Sequence, residues 1–451
     1  MRFKVLVLAA ILSVVNLCLA DSISGKESSE ALARRAVSED SAESAAAIAA
    51  LRAQGPSGLE AFLDSHAAEF KSHQLSLDSP APQNSGAGWQ RINAALDAIC
   101  RQRDCYGSRL YWHTDLEEAK RAAKASGKPI LSLRLLGRLD EELSCANSRL
   151  FRITLYANAE VSKFLREHFV LHWQSVRPVP KVTIDFGDGR KLERTLTGNS
   201  IHYILDREGR PVDALPGLYG PQAFLRELAR AEQAESACRA ARTEQERLAS
   251  LREYHMNRAR EIGASWATDI TKLKISWPSR DIPKTGSGKS NSPVAELAAR
   301  GAITKMVIVE RPVLRGISSD PKLLDPKAED SAWEKLGLLH AEDARLDAAS
   351  KSLMRSKNPS LYGASDSEVR VALDHAVRNL DRAIAEDTAR NEYVFHAKIH
   401  EWLATPAMAT DVEKLNERVY AELFLTPGSD PWLGLFPRDT YTAIDNDGIR
   451  K

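Results

Sequence analysis

The stretch that most constrains this chain is Lys128 to Ser148, KPILSLRLLGRLDEELSCANS. Pro129 to Leu136 is a short apolar run behind a Gly-Lys-Pro stop, the pattern of a strand buried in the middle of a sheet. A turn-rich acidic loop follows. Cys145-Ala-Asn-Ser148 then opens a segment in which Leu150, Leu155, Val161, Phe164 and Leu165 recur at helical spacing. A cysteine at a helix start meets unpaired N–H groups and the positive end of the helix dipole, and both favour the thiolate that attacks disulfides. The spacing is Cys-x-x-Ser, so Cys145 can join a partner in a mixed disulfide but has no second cysteine in the motif to resolve it. Glu141 and Glu142 stand just upstream and oppose ionisation. Against the reactive reading stands a plainer one, in which Cys145 is a buried small hydrophobe.

At 451 residues the chain has room for two or three domains, and 43% hydrophobic with 27% charged residues describes a globular protein. The first twenty residues, MRFKVLVLAAILSVVNLCLA, carry Arg2 and Lys4, an apolar stretch from Val5 to Val15, and small residues Cys18 and Ala20 before Asp21. That is the pattern of a secretory signal peptide, so an exported mature protein is expected, periplasmic or extracellular. Its removal takes away two basic and no acidic residues, and the formal charge moves from +1 to −1. A balance this close to zero gives no case for nucleic acid or an anionic membrane surface, and no other stretch is long and apolar enough to span a bilayer. Four cysteines remain, and four allow three pairings. Cys100 with Cys105 is the preferred disulfide, close in the chain and straddling a helix end, which leaves Cys145 and Cys238 free.

Residues 21–105 read as a helical region. A helix begins within Ser38-Glu-Asp-Ser-Ala-Glu-Ser and stops at Gly55-Pro56, a second begins at Leu59, Phe62 and Leu63, and together they suggest a helical hairpin over Ala31 to Phe70. Residues 76–88 have linker composition, and Trp89, Ile92, Leu96 and Ile99 mark a third helix. Thr114-Asp-Leu-Glu117 is a capping box, with Thr114 as the cap, for a helix ending at Gly127. After the Cys145 helix, Phe169 to Trp173 is a second buried strand, giving a parallel strand–helix–strand unit. Val182 to Leu196 alternates about Gly187-Asp-Gly189 as a hairpin, Ile201 to Asp206 and Pro211 to Leu215 form an antiparallel pair, and a helix over Gly220 to Ala231 closes the block.

The helix ending Ser126-Gly-Lys-Pro129, the single-cysteine corner at Cys145 and the run Ile201-His-Tyr-Ile-Leu-Asp-Arg-Glu-Gly-Arg-Pro-Val resemble the thioredoxin-fold superfamily over about a quarter of the chain. The resemblance implies a thioredoxin-like domain at 106–231, with Cys145 as attacking thiol, Ser148 as its hydrogen-bonding neighbour, and Asn199 and Ser200 facing the sulfur from the start of a strand. Three features depart from the family pattern. Ser148 stands for the second cysteine, Ser200 for a cis-proline, and the hairpin around Gly187 for a helix.

Residues 232–451 read as a mostly helical C-terminal domain. A flexible connector is expected at 281–293 and a short apolar run at Lys305 to Val309. Long helices are expected from about Asp330 to Met354 and from Asp366 to Leu403, the latter behind a capping box Ser365-Asp-Ser-Glu368, and an ordered tail from Thr426 to Ile449. Gly286-Ser-Gly-Lys289-Ser290 lacks the first glycine of a phosphate loop, because Pro283 occupies that position. Glu392, His396 and His400 fall four apart on one helical stripe, so a metal pair is geometrically possible. A third ligand is not marked, and they are read as surface or satisfied histidines, with no metal and no cofactor expected. Trp173, Trp266, Trp333, Trp402 and Trp432 are read as core. The fold class is therefore α/β, a thioredoxin-like central domain between helical N- and C-terminal regions. Two functions follow: single-thiol disulfide exchange or thiol-partner binding through Cys145, or a non-catalytic scaffold that binds a protein partner.

Overall fold

A computed structural model describes residues 27–77, 86–196, 198–275, 329–357, 366–424, 426–429 and 431. The expected signal peptide, the connector at 281–293 with its phosphate-loop-like run, the apolar run at 305–309, residues 78–85 of the linker expected at 76–88, the cap at Ser365, Trp432 and the tail beyond 431 lie outside the described residues. At the linker's described ends the flanking helices reach Leu77 and begin at Ala87. By packing, the described chain divides into two units, one holding residues 27–73 with 86–99 and the other holding most of the remainder.

The first unit is helical: α1 (Ser29–Arg35), α2 (Ser41–Ala53), α3 (Pro56–Ser65), α4 (Ala67–Leu77) and α5 (Ala87–Cys100). Asp40 caps α2 by accepting from Ala42 N–H and Glu43 N–H, and Gly55 at φ +68° makes the turn into α3, where Pro56 occupies the first helical position. The expected hairpin thus contains an extra break at His66. Leu51, Phe62, Leu96 and Ile99 are the buried heart of this unit.

The second unit is mixed α/β. Its five-stranded sheet runs β1 (Trp112–His113), β3 (Val170–Arg177), β2 (Ile130–Leu136), β6 (Ser200–Leu205), β7 (Pro211–Pro216) in spatial order. The first three strands are mutually parallel; β6 and β7 run antiparallel to their neighbours. α6 (Leu116–Ser126) joins β1 to β2, and α7 (Ala146–Thr154) and α8 (Ala159–His168) join β2 to β3. α6 is capped by Asp115, whose carboxylate accepts from Glu118 N–H at 2.8 Å, one residue past the expected Thr114, because a carboxylate is the stronger acceptor for the free N–H groups. Between β3 and β6 the chain makes a separate hairpin, β4 (Lys181–Asp185) and β5 (Lys191–Thr195). All residues of β2, β6 and β7 are buried, so both faces of the sheet are covered.

α9 (Pro221–Arg239) and α10 (Glu244–Leu273) follow as two long helices, and α9 carries on past Ala231, where the sheet domain was expected to close. The helix expected over 330–354 is two, α11 (Glu329–Leu339) and α12 (Ala348–Lys357), because Asp347 accepts from Ser350 N–H and starts a new helix after a tight turn at Ala341–Ala344. The long C-terminal helix is α13 (Asp366–Arg390), a wide π turn Asn391–His396, and α14 (Ala397–Leu403); α15 (Val412–Arg418) and a second π turn, Val419–Leu423, follow as the last regular elements among the described residues. Trp173, Trp266, Trp333 and Trp402 are buried, as core tryptophans should be. Among the described residues no helix is long and apolar enough to cross a membrane.

The register explains how the C-terminal chain grips the sheet. Ser132 pairs with Tyr203 and Arg134 with Ile201, so Arg134 and Tyr203 project from the same face. Arg134, 1% exposed, reaches Glu413 and Gln174, and the Tyr203 hydroxyl donates to Asn416 at 3.2 Å. Glu413 and Asn416 are one turn apart on α15, which therefore covers that face. Glu413→Ala would strand a buried guanidinium, whereas Arg134→Met leaves its former partner in water; the first is expected to lower the urea midpoint more than the second. A second close approach is at Gly220, whose N–H donates to Thr388 Oγ1 at 2.8 Å. A methyl there would lie 2.2 Å from the Asp343 carbonyl oxygen, a backbone atom that cannot step aside. Gly220→Ala is expected to cost about 1–3 kcal/mol in chemical denaturation.

Candidate functional sites: the Cys145 corner and a buried histidine cluster

β2 delivers the chain to Gly137, where φ is +75°, and the loop returns so that Cys145 N–H donates to Leu136 O at 3.1 Å, placing Cys145 at the N-cap of α7. Ser200 opens β6 opposite Leu135. These two placements bring together all four expected residues. The Cys145 sulfur lies 2.9 Å from Ser200 Oγ, donates to Ser148 Oγ at 3.3 Å, and stands 4.0 Å from Asn199 O. Ser148 Oγ is in turn 2.8 Å from Ser144 Oγ and from Cys145 O. Glu142 faces Lys357 and Arg103 rather than the sulfur.

The expected attacking thiol is not at the surface. Cys145, Ser148 and Ser200 are 0% exposed and Asn199 is buried. The physical reason is the C-terminal segment: the Tyr420 hydroxyl donates to Asn199 O at 3.1 Å, and Asn199 Nδ2 donates to Thr426 Oγ1 at 3.1 Å. Asn199 and Ser200, expected as binding residues, thus spend their polar atoms inside the protein. Burial, with Cys145 alongside, holds the phenols of Tyr156 and Tyr420 well above their ordinary range. Cys100 and Cys105 are joined by a disulfide with their Cα atoms 6.3 Å apart, and Cys145 and Cys238 are free and buried.

A second constellation lies where β7 meets the C-terminal helices. Asp213, in the middle of β7, is fully buried. Its Oδ1 is 3.1 Å from His396 Nε2 and 4.0 Å from His400 Nδ1, and its Oδ2 accepts from the Tyr254 hydroxyl at 2.5 Å. His396 Nδ1 is 2.9 Å from Glu392 Oε2, and His400 Nδ1 is 2.8 Å from His255 Nδ1. The Arg258 guanidinium joins Glu227 at 2.8 Å to Glu392 at 3.0 Å. All three imidazoles are sealed from solvent. Burial opposes a charge on His396, but Glu392 and Asp213 outweigh it and raise that imidazole to about 10. Burial lowers His255 to about 4, and burial with His396 close by lowers His400. Asp213 is buried too, yet His400 and His396 hold its carboxyl well below the usual range.

Glu227, Arg258 and Glu392 also wall a cavity of about 580 Å³ among α9, α10 and the C-terminal helices, together with Tyr219, Asp269 and Tyr393. Of the two histidines read as surface or satisfied, His396 is buried with both ring nitrogens paired, whereas His400 is buried and its Nε2, like that of His255, has no hydrogen-bond partner. The four-residue spacing of Glu392, His396 and His400 was visible in the sequence. Asp213 and His255 lie 183 and 145 residues away from their partners in the cluster, and nothing local marks them.

Comparison of the chain with models of known protein families, with curated proteins and with solved structures finds no match in any of the three.

Because Asp213 compensates a buried imidazole and takes three hydrogen bonds, Asp213→Asn is expected to cost about 3 kcal/mol or more in urea denaturation. Tyr254→Phe removes one hydrogen bond to a charged group and is expected to cost less, about 1.5–3 kcal/mol.

Proposed function

We propose that the sheet and its first helices form a thioredoxin-like domain that serves as a scaffold in an exported, non-catalytic interaction protein. The strand order β1-β3-β2-β6-β7, with three parallel strands followed by an antiparallel pair and a cysteine at the start of the helix after β2, supports the thioredoxin-like assignment. The complete burial of Cys145 carries the non-catalytic one. A thiol that exchanges disulfides must present its sulfur to a second sulfur in line, and here the sulfur is sealed among Ser148, Asn199 and Ser200, with Asn199 held in turn by Tyr420 and Thr426. With Ser148 in place of a resolving cysteine, a mixed disulfide formed at Cys145 would also have no way out from within the motif. The apparatus that would ionise and expose a thiol is spent on internal hydrogen bonds, which is how a structural cysteine is held. The disulfide between Cys100 and Cys105 agrees with an oxidising compartment.

The test is site-resolved alkylation of the native protein with a maleimide, read by peptide mass spectrometry. Cys145 is expected to stay unlabelled until denaturant is added. Cys238, whose thiol burial pushes up to about 11, is expected to be slow as well. Insulin reduction is expected to be absent, and Cys145→Ala to leave the fold and partner binding intact. Native labelling of Cys145 at the rate of an exposed thiol, together with insulin reduction lost in Cys145→Ala, would return the protein to the redox class.

A further inference from the structure

We propose that Asp213, His396 and His400 form a binding site for one divalent cation of the zinc class, built into the junction between β7 and the C-terminal helices. The donor atoms of the three side chains all lie within 4.8 Å of one another. Around a tetrahedral zinc with bonds of about 2.0–2.1 Å, ligand atoms stand about 3.3 Å apart, and the Asp213 Oδ1 distances of 3.1 Å to His396 and 4.0 Å to His400 bracket that spacing.

The surroundings are those of a ligand set held from outside. Glu392 takes the N–H at Nδ1 of His396, which turns Nε2 towards Asp213; Tyr254 occupies Oδ2 of Asp213 and leaves Oδ1 facing the imidazoles. A carboxylate behind a ligating histidine and a hydroxyl behind a ligating carboxylate are how proteins orient metal ligands. His255 supplies a third imidazole, its Nδ1 facing His400 Nδ1 at 2.8 Å. Two imidazole nitrogens facing each other in a dry interior can share only one proton, while both rings keep an unpartnered Nε2. A cation placed beside them would replace that pairing with a bond to each lone pair that reaches it.

The backbone agrees. Along a regular helix, positions four apart drift steadily around the axis. The π turn Asn391–His396 widens the turn that joins Glu392 to His396 and offsets that drift between them, which sets Glu392 behind His396; His400 follows one regular turn on, in α14. A second set sharing His396, with Glu227 and Glu392, also has its atoms within 4.8 Å, but the guanidinium of Arg258 already bridges those two carboxylates. The inner set is therefore the one assigned, and the cavity walled by Glu227 and Glu392 gives a cation a route to within one side chain of it. Binding is a ligand exchange without redox change: the cation gives up water, and the proton on His396 Nε2 leaves to solvent.

The test is cobalt titration of the full mature protein after chelator treatment and dialysis. One equivalent of Co²⁺ is expected, with the visible absorption of a four-coordinate ion, displaced by one equivalent of Zn²⁺, which also raises the Tm by several degrees. His400→Gln is expected to abolish the band and Tyr254→Phe to weaken binding about 10-fold or more. His168→Ala, a part-exposed histidine paired with Glu232, is expected to change nothing. The proposal is overturned if wild-type protein takes up no stoichiometric Co²⁺ and shows no Tm shift with Zn²⁺, or if Tyr254→Phe and a folded His400→Gln bind as wild type does. Neither outcome bears on the alkylation of Cys145, so the scaffold reading stands or falls separately.

Discussion

A charge in the middle of a strand with both faces buried is the constraint on which the second unit depends. Asp213 sits in β7, where every residue is buried, and a carboxylate taken out of water must be met by donors or the strand cannot form there. Its donors come from α10 (Tyr254), from the π turn (His396) and from its own neighbour Ala214. The sheet therefore cannot be completed until helices far along the chain have docked. In thermodynamic terms the sheet and the C-terminal helices are one cooperative body, and the polar cluster is where their stabilities are coupled.

The same logic repeats on the face where Arg134 projects. A guanidinium inside a central strand is as demanding as a buried carboxylate, and α15 answers it with Glu413 while Asn416 answers Tyr203. The turn that follows α15 answers Asn199 through Tyr420. Three polar positions on strands or their approaches, Arg134, Asn199 and Tyr203, thus dictate the path of one C-terminal segment. Burial of Cys145 goes with that path: the chain that satisfies Asn199 also brings Tyr420 alongside the thiol.

Local signals carried the sequence reading a long way. The apolar runs at Ile130 and Val170, the alternation around Gly187 and the break after Asp206 each announce their element within a few residues, and each element is present. The pairing of Cys100 with Cys105 was suggested by closeness in the chain. What failed to show was anything set by distant partners. Nothing near Cys145 says that Tyr420 lies over it, and nothing near His400 says that it meets His255 and Asp213. The cap of α6 was not legible because two good acceptors, Thr114 and Asp115, stand side by side in the capping pattern, and the carboxylate, the stronger of the two, took it. The break between α11 and α12 was hidden because neither glycine nor proline marks it, and Asp347 makes it by side-chain capping alone.

β7 closes the sheet on one side, and its outer rim is packed by the π turn and α14 rather than left bare to water. An uncovered border of this kind is an invitation to add strands from other molecules. Here the opposite border is a strand of two residues, and the detached hairpin presents short ribbons studded with Lys181, Asp185, Lys191, Glu193 and Arg194. Among the described residues the architecture is self-terminating: a sheet with so little bare rim offers no long edge for a further strand to join.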